Sequence, residues 1–118
     1  MSVAPSILIV EDEYFLAADL ARYLRTTGLE VLGPVPSVTR ALDLLDRQHP
    51  DAAILDIQLD NELSYPVADR LAAMDVPFLF RTEHMEETLP GRLRGQPMIS
   101  KLAGLPVVGN ELGKLLRR

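Results

Sequence analysis

The chain has no cysteine, which excludes a disulfide framework and thiolate metal sites and fits a reducing compartment. It has two histidines, His49 and His84, with no further ligand at metal spacing beside either, so both read as surface residues. Long hydrophobic runs are missing as well. No apolar stretch reaches the roughly 18 residues that cross a bilayer, and no basic stretch opens the chain as a signal peptide requires. Positive charge is in the minority, with 12 Lys and Arg against 17 Asp and Glu and a net charge of -5. That balance offers no basic footprint for nucleic acid and no polybasic anchor for a membrane surface. Repeats, linkers and low-complexity segments are absent too. These exclusions point to a soluble, cytoplasmic single domain.

What remains is a chain of 118 residues with an apolar fraction of 47%, which is one domain by size, able to bury roughly two-thirds of its surface. Continuous apolar runs suit strands buried on both faces. They fall at Ser6 to Val10, "LEVLGPV", "DAAILDI", "VPFLF" and the short "PMIS". Between them the period changes to that of a helix. Leu16, Ala17, Leu20 and Leu24 recur after Glu13, and Gly28 is a natural stop. Ser37 is placed to cap a helix burying Val38, Ala41, Leu42 and Leu45. Pro66 fits the first turn of a third helix with Val67, Ala68, Leu71 and Ala72 on one face.

Five buried strands alternating with amphipathic segments predict an α/β fold, a doubly wound five-stranded parallel sheet with strand order 2-1-3-4-5. The fourth and fifth helical segments are expected to be irregular. Pro90, Gly91, Gly95 and Pro97 crowd the fourth connection, and Gly109 and Gly113 weaken a final helix that would bury Val108, Leu112, Leu115 and Leu116.

The polar residues of interest then share one place. Glu11 and Asp12 follow strand one, Asp56 sits near the end of strand three, Thr82 follows strand four and Lys101 follows strand five. Ligands of an open doubly wound sheet bind outside the carboxyl ends of its strands, at the point where the helices change sides. Clustered carboxylates need a cation to stay ionised together. An all-oxygen site of that kind suits Mg²⁺, which bridges protein oxygens to a phosphoryl group. A carboxylate beside Mg²⁺ can also act as a nucleophile. Lys101 would neutralise phosphoryl oxygens as a point charge, and Thr82 would donate its hydroxyl.

Plainer readings exist for each residue alone. Glu13 belongs at a helix start, where the dipole favours an acid. An Asp at a strand end is commonly a solvated turn residue, and Asp60, Asn61 and Glu62 read as a polar loop. It is the joint placement of five residues at one end of the sheet that favours a functional site.

At these residues the sequence resembles the receiver domain of bacterial two-component response regulators, over nearly the whole chain. "ILIVEDE" looks like the acidic-pair strand, "AAILDIQL" the phosphoacceptor strand, "VPFLFRT" the switch-threonine strand and "MISK" the lysine strand. The stretch "SYPVADRLAAMDVPFLFRTEHMEETLPGRLRGQP" further resembles stand-alone receivers associated with one branch of sensor histidine kinases. The resemblance implies a CheY-like response regulatory domain over residues 1–118, with Asp56 as phosphoacceptor and Glu11 and Asp12 as the acidic pair. It also implies the main-chain carbonyl of Gln58 as a further Mg²⁺ ligand, Thr82 as switch hydroxyl and Lys101 as the phosphate-pairing lysine. The phosphoryl donor would be a sensor histidine kinase or a phosphotransfer protein, and output would pass to a downstream protein by contact. Such a domain is no enzyme beyond its own transient phosphorylation and dephosphorylation.

Three positions depart from the family pattern. Leu102 stands where proline usually follows the lysine, Met98 replaces the aromatic three residues before it, and Glu83 replaces a small residue after the threonine. The Lys101–Leu102 bond is therefore expected to be trans, with the lysine less rigidly aimed. Other functions share parts of this pattern. A pseudo-receiver would keep the fold as a binding module without phosphorylation. A Mg²⁺-dependent phosphatase of the haloacid dehalogenase type needs a second acid two residues after the nucleophile, where this chain has Gln58, and a flavodoxin needs a Ser/Thr/Gly-rich phosphate loop after strand one, which is missing.

Overall fold

The computed structural model describes residues 3–86 and 88–117. Strand β1 (Ser6–Val10) leads into α1 (Tyr14–Thr26), followed by β2 (Glu30–Val35), α2 (Val38–Leu45) and β3 (Ala52–Asp56). A two-residue-per-strand hairpin, β4 (Gln58–Leu59) and β5 (Glu62–Leu63), precedes α3 (Tyr65–Ala73). The chain continues through β6 (Phe78–Thr82), a single 3₁₀ turn at Gly91–Leu93, β7 (Met98–Ser100) and α4 (Leu105–Leu116). The main sheet has the order β2-β1-β3-β6-β7, and every pair in it is parallel. Once the small hairpin is set aside, this is the predicted 2-1-3-4-5 order.

Side chains alternate across the sheet because a strand repeats every two residues. Ile7, Ile9, Ala52, Ile54 and Leu79 meet Leu20, Leu24, Val108 and Leu112 of α1 and α4 on one face. Leu8, Val10, Leu55, Phe78 and Phe80 meet Ala41, Leu45, Val67 and Leu71 of α2 and α3 on the other. All five residues of β3 and of β6 are buried, as central strands covered on both sides must be. The crossing of α1 and α4 is close: a Cβ added at Gly109 would lie 3.2 Å from the Tyr23 hydroxyl. Helix α4 nevertheless runs unbroken through Gly109 and Gly113, contrary to the irregularity expected of the fifth segment, and Gly109 has a packing reason to stand there.

Strand β2 ends at Val35 as "LEVLGPV" predicts, with Gly33 at φ +87 and a register shift between Leu8 and Val10 of its neighbour. Two further local expectations change. The strand read as "VPFLF" begins at Phe78 and continues through Arg81 to Thr82, so Thr82 is its last residue and not the residue after it. Ala72, expected on the buried face of α3, is exposed and lines an open cleft of about 630 Å³ with Pro5, Asp51, Asp75 and Pro77. That cleft lies at the end of the sheet where strands begin, away from the carboxylates. Among the described residues the helical segment of the fourth connection is a 3₁₀ turn, short as expected.

Candidate functional site

The strand ends place the site. Asp56 is the last residue of β3, Glu11 and Asp12 directly follow β1, Thr82 ends β6 and Lys101 directly follows β7. Backbone hydrogen bonds extend this order past the strands: the Glu11 amide donates to the Val35 carbonyl (3.0 Å), and the Lys101 amide donates to the Thr82 carbonyl (2.8 Å). The lysine is therefore launched from a fixed backbone. The only cis bond among the described residues is Gly33–Pro34, so Lys101–Leu102 is trans as expected. Ser100 holds the turn instead, its hydroxyl accepting the Leu102 amide at 3.0 Å and its carbonyl accepting the Ala103 amide at 3.0 Å.

The Lys101 side chain is only 8% exposed, and its Nζ lies 2.7 Å from Asp56 Oδ2 and 2.9 Å from Glu11 Oε1. Glu11, Asp12 and Asp56 each offer a carboxylate oxygen within 4.8 Å of the other two. Glu13, the third acid of the opening run, takes a different task. It caps α1, its carboxylate accepting the Leu16 amide at 2.8 Å, while its own amide donates to Glu11 Oε2 at 3.1 Å. The helix start thus orients one of the two buried carboxylates.

Charge in this pocket is finely opposed. Burial pushes the Asp56 carboxyl up to about 7; the Lys101 hydrogen bond pulls it down, and the neighbouring Glu11 adds to the rise. Glu11 feels burial in the same direction, but hydrogen bonds from Lys101 and the Glu13 amide outweigh it and hold it below the ordinary glutamate value. Asp12 is raised by partial desolvation and by Glu11 beside it. For Lys101, burial favours the neutral amine, yet its bonds to Asp56 and Glu11 win and hold it charged. Three hard oxygen donors with competing charge are the donor set that Mg²⁺ accepts, one or two carboxylates and water completing an octahedron.

The remaining expected residues are not bonded to the carboxylates among the described residues. The Thr82 hydroxyl is buried and accepts the His84 amide at 3.1 Å, and among the described residues it makes no hydrogen bond to the carboxylates. Gln58 is exposed in β4, where its side-chain amide donates to the carbonyls of Leu59 and Glu62. His49 and His84 are exposed, as predicted. The polar loop proves more organised than expected. Asp60 and Asn61 turn the β4–β5 hairpin, with Asn61 at φ 59, and the Glu62 carboxylate accepts the Val38 amide at 3.0 Å at the start of α2. One residue escaped the sequence reading altogether. Arg81, opposite Asp56 in the β3–β6 register, is 5% exposed. Its signal was an arginine inside an otherwise apolar strand.

An open parallel sheet with three carboxylates and one lysine converging at the carboxyl ends of its strands defines a doubly wound α/β domain with an acidic pocket. The family described as the response regulator receiver domain matches residues 7–95, and this chain belongs to it. That match ends before Lys101, whose placement rests on the geometry above. The chain is 38% identical to SdrG from Sphingomonas melonis Fr1, whose solution structure superposes with a TM-score of 0.83 over 98% of this chain and 99% of that one. The BeF3-activated conformation of SdrG from Pseudomonas melonis Fr1 is also 38% identical and gives 0.80 over the same shares. The transcriptional regulatory protein PdtaR of Mycobacterium tuberculosis is 29% identical over 79% of this chain and 46% of its own length. The chain thus spans about half the length of that curated relative.

Proposed function

We propose that this receiver domain accepts a phosphoryl group on Asp56 from the phosphohistidine of a sensor kinase or phosphotransfer protein, and signals by protein contact. The observation that carries the reading is the Asp56 carboxylate itself, buried at a strand end with Lys101 Nζ at 2.7 Å and two further carboxylates beside it. In the transfer, an Asp56 carboxylate oxygen forms a bond to phosphorus while the bond to the histidine nitrogen breaks. The leaving imidazole recovers its electron pair. Lys101, now shared between Asp56 and Glu11, would follow the charge that develops on the phosphoryl oxygens. Thr82, ending the neighbouring strand, would turn its hydroxyl to one of those oxygens. Glu11, Asp12, Asp56 and the Gln58 main-chain carbonyl would hold Mg²⁺, which when bound neutralises the approaching phosphoryl dianion.

The BeF3-activated conformation of SdrG supports this reading, because a beryllofluoride group mimics a phosphoryl and the two chains are 38% identical. The domain then acts in the cytoplasm as a phosphorylated switch and not as an enzyme on other substrates. The contrasting reading, a pseudo-receiver that only binds, draws on Leu102, Met98 and Glu83 at the positions that usually transmit the change. Mass spectrometry after incubation with acetyl phosphate separates the two. One added phosphoryl group, dependent on Mg²⁺ and absent in Asp56→Asn, is expected. No labelling of the wild type at saturating Mg²⁺ would leave the binding module as the better reading.

A further inference from the structure

The sequence of β6 puts a charge where the sheet alternation calls for an apolar residue. Ile9, Ile54 and Leu79 point to the α1 and α4 face, and side chains two residues on point the same way. Glu11, Asp56 and Arg81 are those residues. The register pairs Val10 with Leu55 and Asp56 with Arg81, so the three stand in one row across adjacent strands about 4.8 Å apart. Arg81 is 5% exposed. Among the described residues its buried Nε and Nη1 have no hydrogen-bond partner and it makes no ion pair, whereas Arg70 and Arg92 at the surface each hold an aspartate at 2.8 Å.

A guanidinium stays charged under all ordinary conditions. Burial disfavours that charge, and the charges of Glu11 and Asp56 favour it. Arg81 therefore acts on the pocket through its field and through two free donors, not through a closed salt bridge. Lys101 already bridges Asp56 and Glu11, which leaves Arg81 as a second positive charge behind the same carboxylates. Its sign has opposite consequences for the two kinds of ligand the pocket can take. A divalent cation is repelled, while an anion built onto Asp56 is attracted.

We propose that Arg81 is a resident counter-cation of the acidic pocket, a positioning charge that weakens its hold on Mg²⁺ and strengthens its hold on a phosphoryl-type anion at Asp56. The anion half rests on the phosphoacceptor reading above; the metal half rests only on the carboxylate cluster. In the resting state the pocket is thereby partly neutralised without metal, and a bound phosphoryl group gains a charge that does not leave with the metal.

Two titrations on the full chain test this, both followed by amide chemical shifts around Glu11 and Asp56. In the first, MgCl₂ is added to the wild type, Arg81→Met, Arg81→Gln and Arg81→Lys. In the second, beryllofluoride is added at saturating Mg²⁺. Loss of the charge in Arg81→Met and Arg81→Gln is expected to tighten Mg²⁺ binding by about tenfold and to weaken beryllofluoride by a similar factor, with Arg81→Lys close to wild type. Damage to the pocket would weaken both ligands together, so that outcome, or unchanged Mg²⁺ affinity in both neutral variants, overturns the proposal. A wild type that binds Mg²⁺ and takes no beryllofluoride overturns the phosphoacceptor reading and the anion half with it, and the metal titration then decides the rest.

Discussion

Lys101 and Asp56 are joined by a 2.7 Å hydrogen bond between Nζ and Oδ2, across one intervening strand of the sheet and 45 residues of sequence. The same ammonium lies 2.9 Å from Glu11. Removing one partner of such a buried pair is far more costly than the pair's net contribution, because the carboxylates left behind lose their counter-charge. Lys101→Met is therefore expected to destabilise the metal-free protein by about 3 kcal/mol at pH 8. Part of that loss should return at pH 5, where Asp56 takes up a proton. Urea denaturation at the two pH values checks this, and an equal loss at both would mean that Lys101 acts through packing alone. The same variant should slow phosphoryl acceptance by about two orders of magnitude if Lys101 stabilises the charge in transfer.

The raised carboxyl of Asp56 gives stability a pH dependence of defined sign. An unfolded aspartate ionises near 3.9, while the folded one is pushed up to about 7. Between those values the folded state holds a proton that the unfolded state has lost, so the contribution of Asp56 to stability falls as pH rises from about 4 to about 7. It is fully present below the unfolded value and gone above the folded one. Asp56→Asn, which cannot ionise, should escape this decline. Relative to wild type it is expected to gain on the order of 1–2 kcal/mol on going from pH 5 to pH 8 without Mg²⁺, since one pKa unit corresponds to about 1.4 kcal/mol. Thermal melts across that range provide the measurement. A wild type whose stability rises from pH 5 to pH 8 in parallel with the variant would contradict it.

Metal binding should separate the two acids that follow β1. Asp12 is exposed at the pocket mouth, whereas Glu11 is buried and already holds Lys101 and the Glu13 amide. Asp12 is thus the freer ligand. Asp12→Asn is expected to weaken Mg²⁺ by about 10- to 100-fold, and Glu11→Gln by less, since a carboxylate committed to other partners behaves more as an orienting neighbour. Calorimetric titration with MgCl₂ ranks them. The reverse order would make Glu11 the direct ligand and place Asp12 behind water.

Much of this architecture was legible because parallel strands covered on both faces leave unbroken apolar runs, and because the chemistry lies where those runs stop. The pairing of Glu11, Asp56 and Lys101 follows from strand order alone. Other features were hidden by their length or their distance in sequence. The β4–β5 hairpin has two residues per strand, too few for a period to show. Glu62 caps a helix that begins 24 residues earlier, a tertiary contact without a local signature. Arg81 lies beyond the apolar run, which ends at Phe80, while the strand continues for two residues and carries the arginine into the site. Ala72 has the spacing of a buried residue, but it lines the cleft beside Pro77 and Phe78 where β6 begins, and is exposed there.

The response to phosphorylation should be muted on the face formed by β7 and its flanking loops. In a receiver of the usual pattern an aromatic before the lysine swings inward, and the threonine and lysine draw their loops toward the phosphoryl group. Here Met98 is partly buried against the α2 and α3 core and has no flat ring to turn. Among the described residues the fourth connection holds a 3₁₀ turn at Gly91–Leu93 and no α-helix that could shift as a body. Leu102 is 93% exposed and contributes nothing to the pocket, and the lysine turn is already fixed by the Ser100 hydroxyl and the Thr82 carbonyl. Lys101 also starts in contact with Asp56, so a phosphoryl group adds little new attraction to draw β7 inward. Hydrogen exchange measured with and without beryllofluoride is expected to show protection at Asp56, Thr82 and their immediate neighbours, with changes across residues 88–101 under about threefold, less than the ~1 kcal/mol of a typical hydrogen bond would give. Restoring an aromatic with Met98→Tyr should enlarge the change in that segment. Protection across residues 88–101 that is large in the wild type and indifferent to Met98→Tyr would show that this face switches by a route that needs neither the ring nor the helix.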